Sequence, residues 1–200
     1  MYILFIILLG DFMLCIKKDS VYEQIINKSR FITLLYKVDN VDEVNLYLKE
    51  SKINYPGATH YTYAYIIDGV SKMSDDGEPS KTAGSPILNV LTRQKLNHVL
   101  CIVIRYFGGI KLGAGGLVRA YSSSCSDALL ENEIVELQEG YRIRVTCSYE
   151  DSQKINYILL NSKIIYKEFS DIVIIEAIVT SEVFMNLKNY SPVVIEKVLI

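Results

Sequence analysis

Histidine is scarce in this chain: His60 and His98 are the only two among 200 residues, which leaves little material for a histidine-rich metal centre. The four cysteines, Cys15, Cys101, Cys125 and Cys147, are widely spaced and form no CxxC pair. Neither a zinc ribbon nor a disulfide scaffold is indicated, and a reducing, cytoplasmic setting is the expectation. Glycine and proline number 11 and 4, too few for a fibrous or disordered chain. No charge sign dominates, since 21 Lys and Arg face 23 Asp and Glu for a net charge of −2. A protein basic over its whole surface is thereby excluded, and any grip on nucleic acid must be local. The nucleotide-loop patterns GxxxxGK[ST] and GxGxxG are missing, as is the GxSxG of serine hydrolases, so ATP, NAD and nucleophile-elbow chemistry are not expected.

What is present is ample apolar material, 50% of the residues, enough to bury a core in one large or two small domains. The opening run Met1 to Leu9 is almost purely apolar but is broken by Gly10 and Asp11. It is too short to span a bilayer, which takes about 20 apolar residues, and it lacks the basic start of a secretory signal. The open readings are a weak membrane or export signal, an extra packed element, and a mis-called start with Met13 as the true first residue; the last is preferred, and no membrane partner is expected.

Further along, Val21 to Ile26 and Phe31 to Tyr36 flank a polar turn and predict a hairpin. Asn40 or Asp39 can cap a helix carrying Val41, Val44, Tyr47 and Leu48. His60 to Ile67 alternates as a strand, with Tyr61, Tyr63 and Tyr65 on one face and His60, Thr62, Ala64 and Ile66 on the other. Asp68 to Ser85 reads as one long polar loop, Pro86 as the first turn of a helix, and His98 to Tyr106 as a buried strand. RYFGGIKLGAGGLVRAY then leads into a helix. Glu131 to Gly140 reads as a polar connection, and the remainder follows the order βαββαβ of the ferredoxin-like arrangement.

Two segments carry candidate chemistry. Gly108, Gly109, Gly113, Gly115 and Gly116 join a strand to a helix start, with Arg105, Lys111 and Arg119 nearby and no acidic residue between 99 and 121. Backbone N–H groups and the helix dipole there suit a phosphate, and a sugar-phosphate backbone needs little more. Tight packing and positive φ angles are the stronger explanation from spacing alone. The second segment holds Asp75, Asp76 and Glu78 in a loop. Three carboxylates on a turn suit Mg²⁺, but Asp-Gly and Glu-Pro are turn dipeptides, and that reading is the stronger. His60 becomes a general base only if the fold brings these carboxylates to it.

KSRF at Lys28 to Phe31, the strand at His60, SDDGEPSKTAG at Ser74 to Gly84 and RYFGGIKLGAGGLVRAY at Arg105 to Tyr121 together resemble the YigZ/IMPACT family. The resemblance implies a two-domain α+β protein. Its N-terminal domain would be an α/β sandwich like a ribosomal-protein domain and domain four of elongation factor G, and its C-terminal domain ferredoxin-like. Eukaryotic relatives are implied to regulate translation. A proline dipeptidase label attached to some bacterial relatives is not supported, because two histidines and no second acidic cluster cannot build a two-metal site. Where the family usually reads GTAGKP, this chain has Lys81 in place of a glycine and Ser85 in place of a lysine.

The sequence thus predicts an apolar extension at 1–12, an Impact-type domain at 13–138 and a ferredoxin-like domain at 139–200. The leading expectation is a cytoplasmic translation- or RNA-associated regulator. Arg105, Lys111, Arg119 and the glycine loop would contact phosphates of RNA or the ribosome. The alternatives are an enzyme using His60, Asp75, Asp76 and Glu78, if those groups converge in one pocket, and a module binding a protein of the translation machinery. No cofactor and no resident metal is assigned.

Overall fold

A computed structural model describes residues 13–200; the expectations for residues 1–12 lie outside them. The chain divides into two compact units, the first ending at Glu136 and the second running from Leu137 to Ile200. In chain order the first unit contains β1 (Met13–Ile16), β2 (Ser20–Ile26), β3 (Ser29–Lys37), α1 (Val41–Asn54), β4 (His60–Ile67), β5 (Val70–Ser74), α2 (Gly84–Arg93), β6 (Val99–Tyr106) and α3 (Gly113–Leu130). β7 (Ile134–Leu137) follows at the junction and pairs with β1.

The centre of the first unit is a five-stranded sheet in the order β2-β3-β6-β4-β5, antiparallel throughout. β6 lies in the middle and is buried from Val99 to Arg105, which is why its sequence is a continuous apolar run rather than an alternating one. Ile32, Leu34, Leu100, Ile102, Ile104, Tyr65 and Ile67 form one core face with Val44 of α1. Tyr61 and Tyr63 pack at the edge of that core, so the tyrosine ladder is a packing device. Residues of opposite parity face α2 and α3: Phe31 meets Tyr121 edge-on at 5.4 Å, and the Thr33 hydroxyl donates to the Ser124 carbonyl at 3.2 Å. Ser124 is fully buried and its hydroxyl accepts from Gln24 at 2.6 Å. The small serines of α3 therefore allow close approach of helix to sheet.

The hairpin, the tyrosine strand and the three helices agree with the sequence reading. The Asn40 side chain caps α1 by accepting from the Glu43 amide at 2.9 Å. Two expectations need correction. The polar stretch after Ile67 is not all loop, because Val70–Ser74 forms an edge strand on β4. Asp68 and Gly69 connect the two with φ of +48° and +75°, the left-handed pair of a two-residue hairpin. Likewise Ile134 and Val135 belong to a strand rather than to a polar connection.

The second unit contains β8 (Glu139–Cys147), α4 (Tyr149–Ile158), β9 (Lys163–Phe169), β10 (Val173–Thr180), α5 (Ser181–Asn186) and β11 (Val193–Leu199). Its sheet runs β11-β8-β10-β9 with antiparallel neighbours, the ferredoxin-like order expected for βαββαβ. Ile143, Val145, Val173, Ile175, Ala177 and Val179 meet Ile155 and Leu159 of α4 in its core. Among residues of the other parity, Glu176 accepts from Arg144 at 2.8 Å and from Arg142 at 3.2 Å.

Those two arginines, Arg144 first, hold the Glu176 carboxyl below its ordinary pKa of 4.5. A depressed folded-state pKa stabilises the fold above the unfolded value, and the contribution disappears as pH falls through the folded value. Thermal melts should show Glu176→Gln less stable than the parent at neutral pH, with the gap narrowing once pH drops below 4.5. A gap independent of pH would rule out this linkage.

Candidate functional site

β6 ends at Tyr106, and the chain must turn sharply to start α3 at Gly113. Gly108 makes that turn possible by lying against the β2–β3 turn. A Cβ placed there would sit 2.0 Å from the carbonyl carbon and oxygen of Lys28, which no side chain tolerates. The Ser29 hydroxyl fixes the same contact by accepting from the Gly108 amide at 3.2 Å. Gly109 has a φ of +84°, the conformation glycine adopts without cost. KSRF and the glycine segment are thus two halves of one structure, and the backbone of the exposed Lys28 lies against Gly108.

α3 then begins without a side-chain cap, its N-cap residue being Leu112, and its first turn holds no acidic residue. Gly113, Ala114 and Gly115 are exposed and Gly116 half-buried. A Cβ on Gly115 would meet only the Arg119 guanidinium, at 3.8 Å. The first turn of a helix leaves backbone N–H groups without intrahelical partners, and here they open beside Lys111 and Arg119. Arg119 also borders a second hollow of about 290 Å³ with Asn27, Gly116 and Ser123.

Arg105, expected among the phosphate contacts, is instead buried at 5% exposure. Its Nη1 donates to Glu78 at 2.6 Å and its Nη2 to the Ser29 hydroxyl at 3.4 Å. The guanidinium stands 5.4 Å from the ring centres of both Phe31 and Phe107, a cation–π setting. The same Glu78 oxygen accepts from the Tyr121 hydroxyl at 2.7 Å. Burial above all, then the Glu78 charge, pushes the Tyr121 phenol far above its ordinary range, so it remains a donor. Arg105 is thus held by Glu78 inside the unit rather than standing free at the surface.

The acidic loop divides its carboxylates between tasks. Asp75 accepts from the amides of Lys81, Ala83 and Gly84 at 2.8, 3.0 and 2.9 Å, binding the loop and the start of α2. Asp76 accepts from the Tyr61 amide at 2.6 Å. Only Glu78 of the three joins His60, whose Nε2 lies 3.8 Å from it. Nδ1 of His60 donates to the Asp76 carbonyl at 2.7 Å, since a carbonyl can only accept. The four-residue catalytic group suggested by the sequence is not assembled. Cys101 and Cys125 are buried, and burial drives the Cys101 thiol well up, as befits packing. Among the described residues no group of three His, Cys, Asp or Glu side chains is arranged to hold a metal ion.

His60, Glu78 and Arg105 form the polar part of a cavity of about 350 Å³ that is also lined by Phe107, Lys111 and Leu117. Tyr121, Ser29 and Phe107 were not singled out as site residues in the sequence, although all three lie in its signature segments. A strand serine and a helix tyrosine 92 positions apart give no local sign that they converge.

An antiparallel sheet between helices, a glycine turn feeding an uncapped helix and a ferredoxin-like second unit define a two-domain α+β protein. The chain belongs to the IMPACT family: the Impact N-terminal domain matches residues 27–129. It is 40% identical over 156 residues to IMPACT family member YvyE of Bacillus subtilis (strain 168), covering 76% of this chain and 72% of that protein. It is 32% identical over 157 residues to IMPACT family member YigZ of Escherichia coli (strain K12), covering 75% and 77%. A crystal structure of a hypothetical protein is similar at 27% identity and a TM-score of 0.64, covering 93% of this chain and 97% of that one.

The position where Lys81 replaces the family's usual glycine has a φ of +64°, in the left-handed region that costs a side chain about 1–2 kcal/mol. The Lys81 amide donates to Asp75 in that conformation. Urea denaturation should show Lys81→Gly to be more stable by about 1 kcal/mol; a destabilised variant would contradict the strain.

Removing one partner of a buried ion pair costs about 3–5 kcal/mol, because the other charge is stranded. Arg105→Ala and Glu78→Ala should each destabilise by that order in the same assay. The double variant should cost much less than their sum, and strict additivity would show that the pair is not coupled.

Proposed function

We propose that this protein regulates translation by binding phosphates of RNA, free or in the ribosome, at the N-terminal end of α3. The observation that carries the reading is the uncapped start of this 18-residue helix with Lys111 just before its N-cap residue and no acid in its first turn. Exposed amides and a helix dipole favour an anion there, and a sugar-phosphate backbone offers one at every nucleotide. Lys28, brought to the glycine loop by the contact at Gly108, and Arg119 supply the remaining charge. Arg105 is replaced by Lys28 in this scheme. Family membership supports the link to translation, as the motif resemblance implies, and the proposed site of action is the cytoplasm.

Nothing in this arrangement reads bases, so the binding is of the backbone kind and depends on counterion release. For single-stranded RNA, log affinity should fall with log salt, and each phosphate contact should contribute a slope of about 0.7. Filter binding to RNA and to ribosomal subunits at graded salt tests this. Lys28→Ala, Lys111→Ala and Arg119→Ala should together weaken binding and flatten the slope by about 2, with the melting temperature preserved. An unchanged slope, or no association at low salt, defeats the reading.

A further inference from the structure

At the start of α3 lies a cavity that shares Lys111 and the first turn of the helix with the proposed phosphate contact. It measures about 350 Å³ and is lined by Phe107, Leu112, Ala114 and Leu117 on its apolar side and by His60, Glu78, Arg105 and Lys111 on its polar side. This is the low end of the size range of small-molecule sites, which are mostly apolar with a few fixed polar groups. Two features show that packing of the fold alone does not account for it. Arg105 is 5% exposed, yet its Nε has no hydrogen-bond partner among the described residues, although buried polar atoms are nearly always paired. Phe107, next to the guanidinium, leaves 45% of its surface uncovered while its ring helps to form the wall.

Charge selects the occupant. Glu78 and Arg105 neutralise each other at 2.6 Å, so Lys111 and the α3 N-terminus leave the lining net positive. The apolar wall asks for a flat or aliphatic body beside Phe107 and Leu117. We infer that this cavity is a binding site for a small organic oxyanion, a carboxylate or phosphate ester on an apolar body. Its charged group meets Lys111 and the first turn of α3, and its body lies along Phe107. His60, with Nδ1 engaged by the Asp76 carbonyl, turns Nε2 toward Glu78 at the polar end and orients what enters. The inference goes beyond RNA binding and does not require it.

The test is a titration of the full chain by amide NMR with phenyl phosphate and with benzoate, against inorganic phosphate and phenol. At least one of the two anions should bind at least tenfold more tightly than either of its one-part controls, with shifts concentrated at Thr59, His60 and residues 107–117. Whichever anion binds better assigns the headgroup as phosphate ester or carboxylate. Ala114 is exposed in the first turn of α3, so Ala114→Phe should fill the cavity mouth without unfolding the chain and weaken binding at least tenfold. Lys111→Glu should weaken both anions and leave phenol unaffected. Anions that bind no better than their controls, or binding untouched by Ala114→Phe, overturn the inference. RNA binding by the parent chain is a separate readout: its absence there counts against RNA alone and leaves the anion titration as the test of this cavity.

Discussion

The first unit is organised around one buried carboxylate. Glu78 comes from a polar loop and Arg105 from the end of the central strand, while Tyr121 comes from the middle of α3; a single Glu78 oxygen joins the last two at 2.6 and 2.7 Å. A charge so placed is tolerable only when paired and hydrogen-bonded. The constraint acts in both directions. The loop must descend to the sheet to deliver Glu78, and α3 must cross β3 and β6 where Tyr121 can reach it. Phe31 then fits edge-on against the Tyr121 ring, and the Arg105 guanidinium lies over Phe31 and Phe107.

The neighbours of that network follow from it. Asp75 and Asp76 give their oxygens to backbone amides, so the loop reaches Glu78 along a fixed path rather than as a flexible tether. Asp76 also holds the His60 ring through its carbonyl. Ser29 connects the network to the glycine turn, since its hydroxyl meets both the Arg105 side chain and the Gly108 amide. The outcome is a division of labour among cations. Arg105 is immobilised inside, and Lys28, Lys111 and Arg119 remain outside, where a solvated charge can meet a ligand without the cost of burial.

Much of the secondary structure was legible because it follows local rules. The apolar run of β6, the alternation of His60 to Ile67 and the Asn40 cap each record a periodicity or a hydrogen bond spanning a few residues. The βαββαβ order of the second unit was legible for the same reason. β5 was missed because Val70, Ser71 and Lys72 are exposed at a sheet edge, where no buried face imposes alternation, although Asp68-Gly69 was a hairpin signal in plain view. β7 was missed because four residues are too few to show a period.

The sequence alone determined the family signature, the two-part plan and the acid-free glycine segment, since these are written in residue order and type. It also marked the five glycines of that segment as places of tight packing or positive φ without saying which does what. Only the tertiary structure decided what each charge does. Arg105 and Lys111 are six positions apart and equally basic in sequence, yet one lies under the sheet's helical cover beside Glu78 and the other beside an open helix end. The work of a charge depends on its dielectric surroundings and its partner, and both are set by segments of chain that meet only after folding.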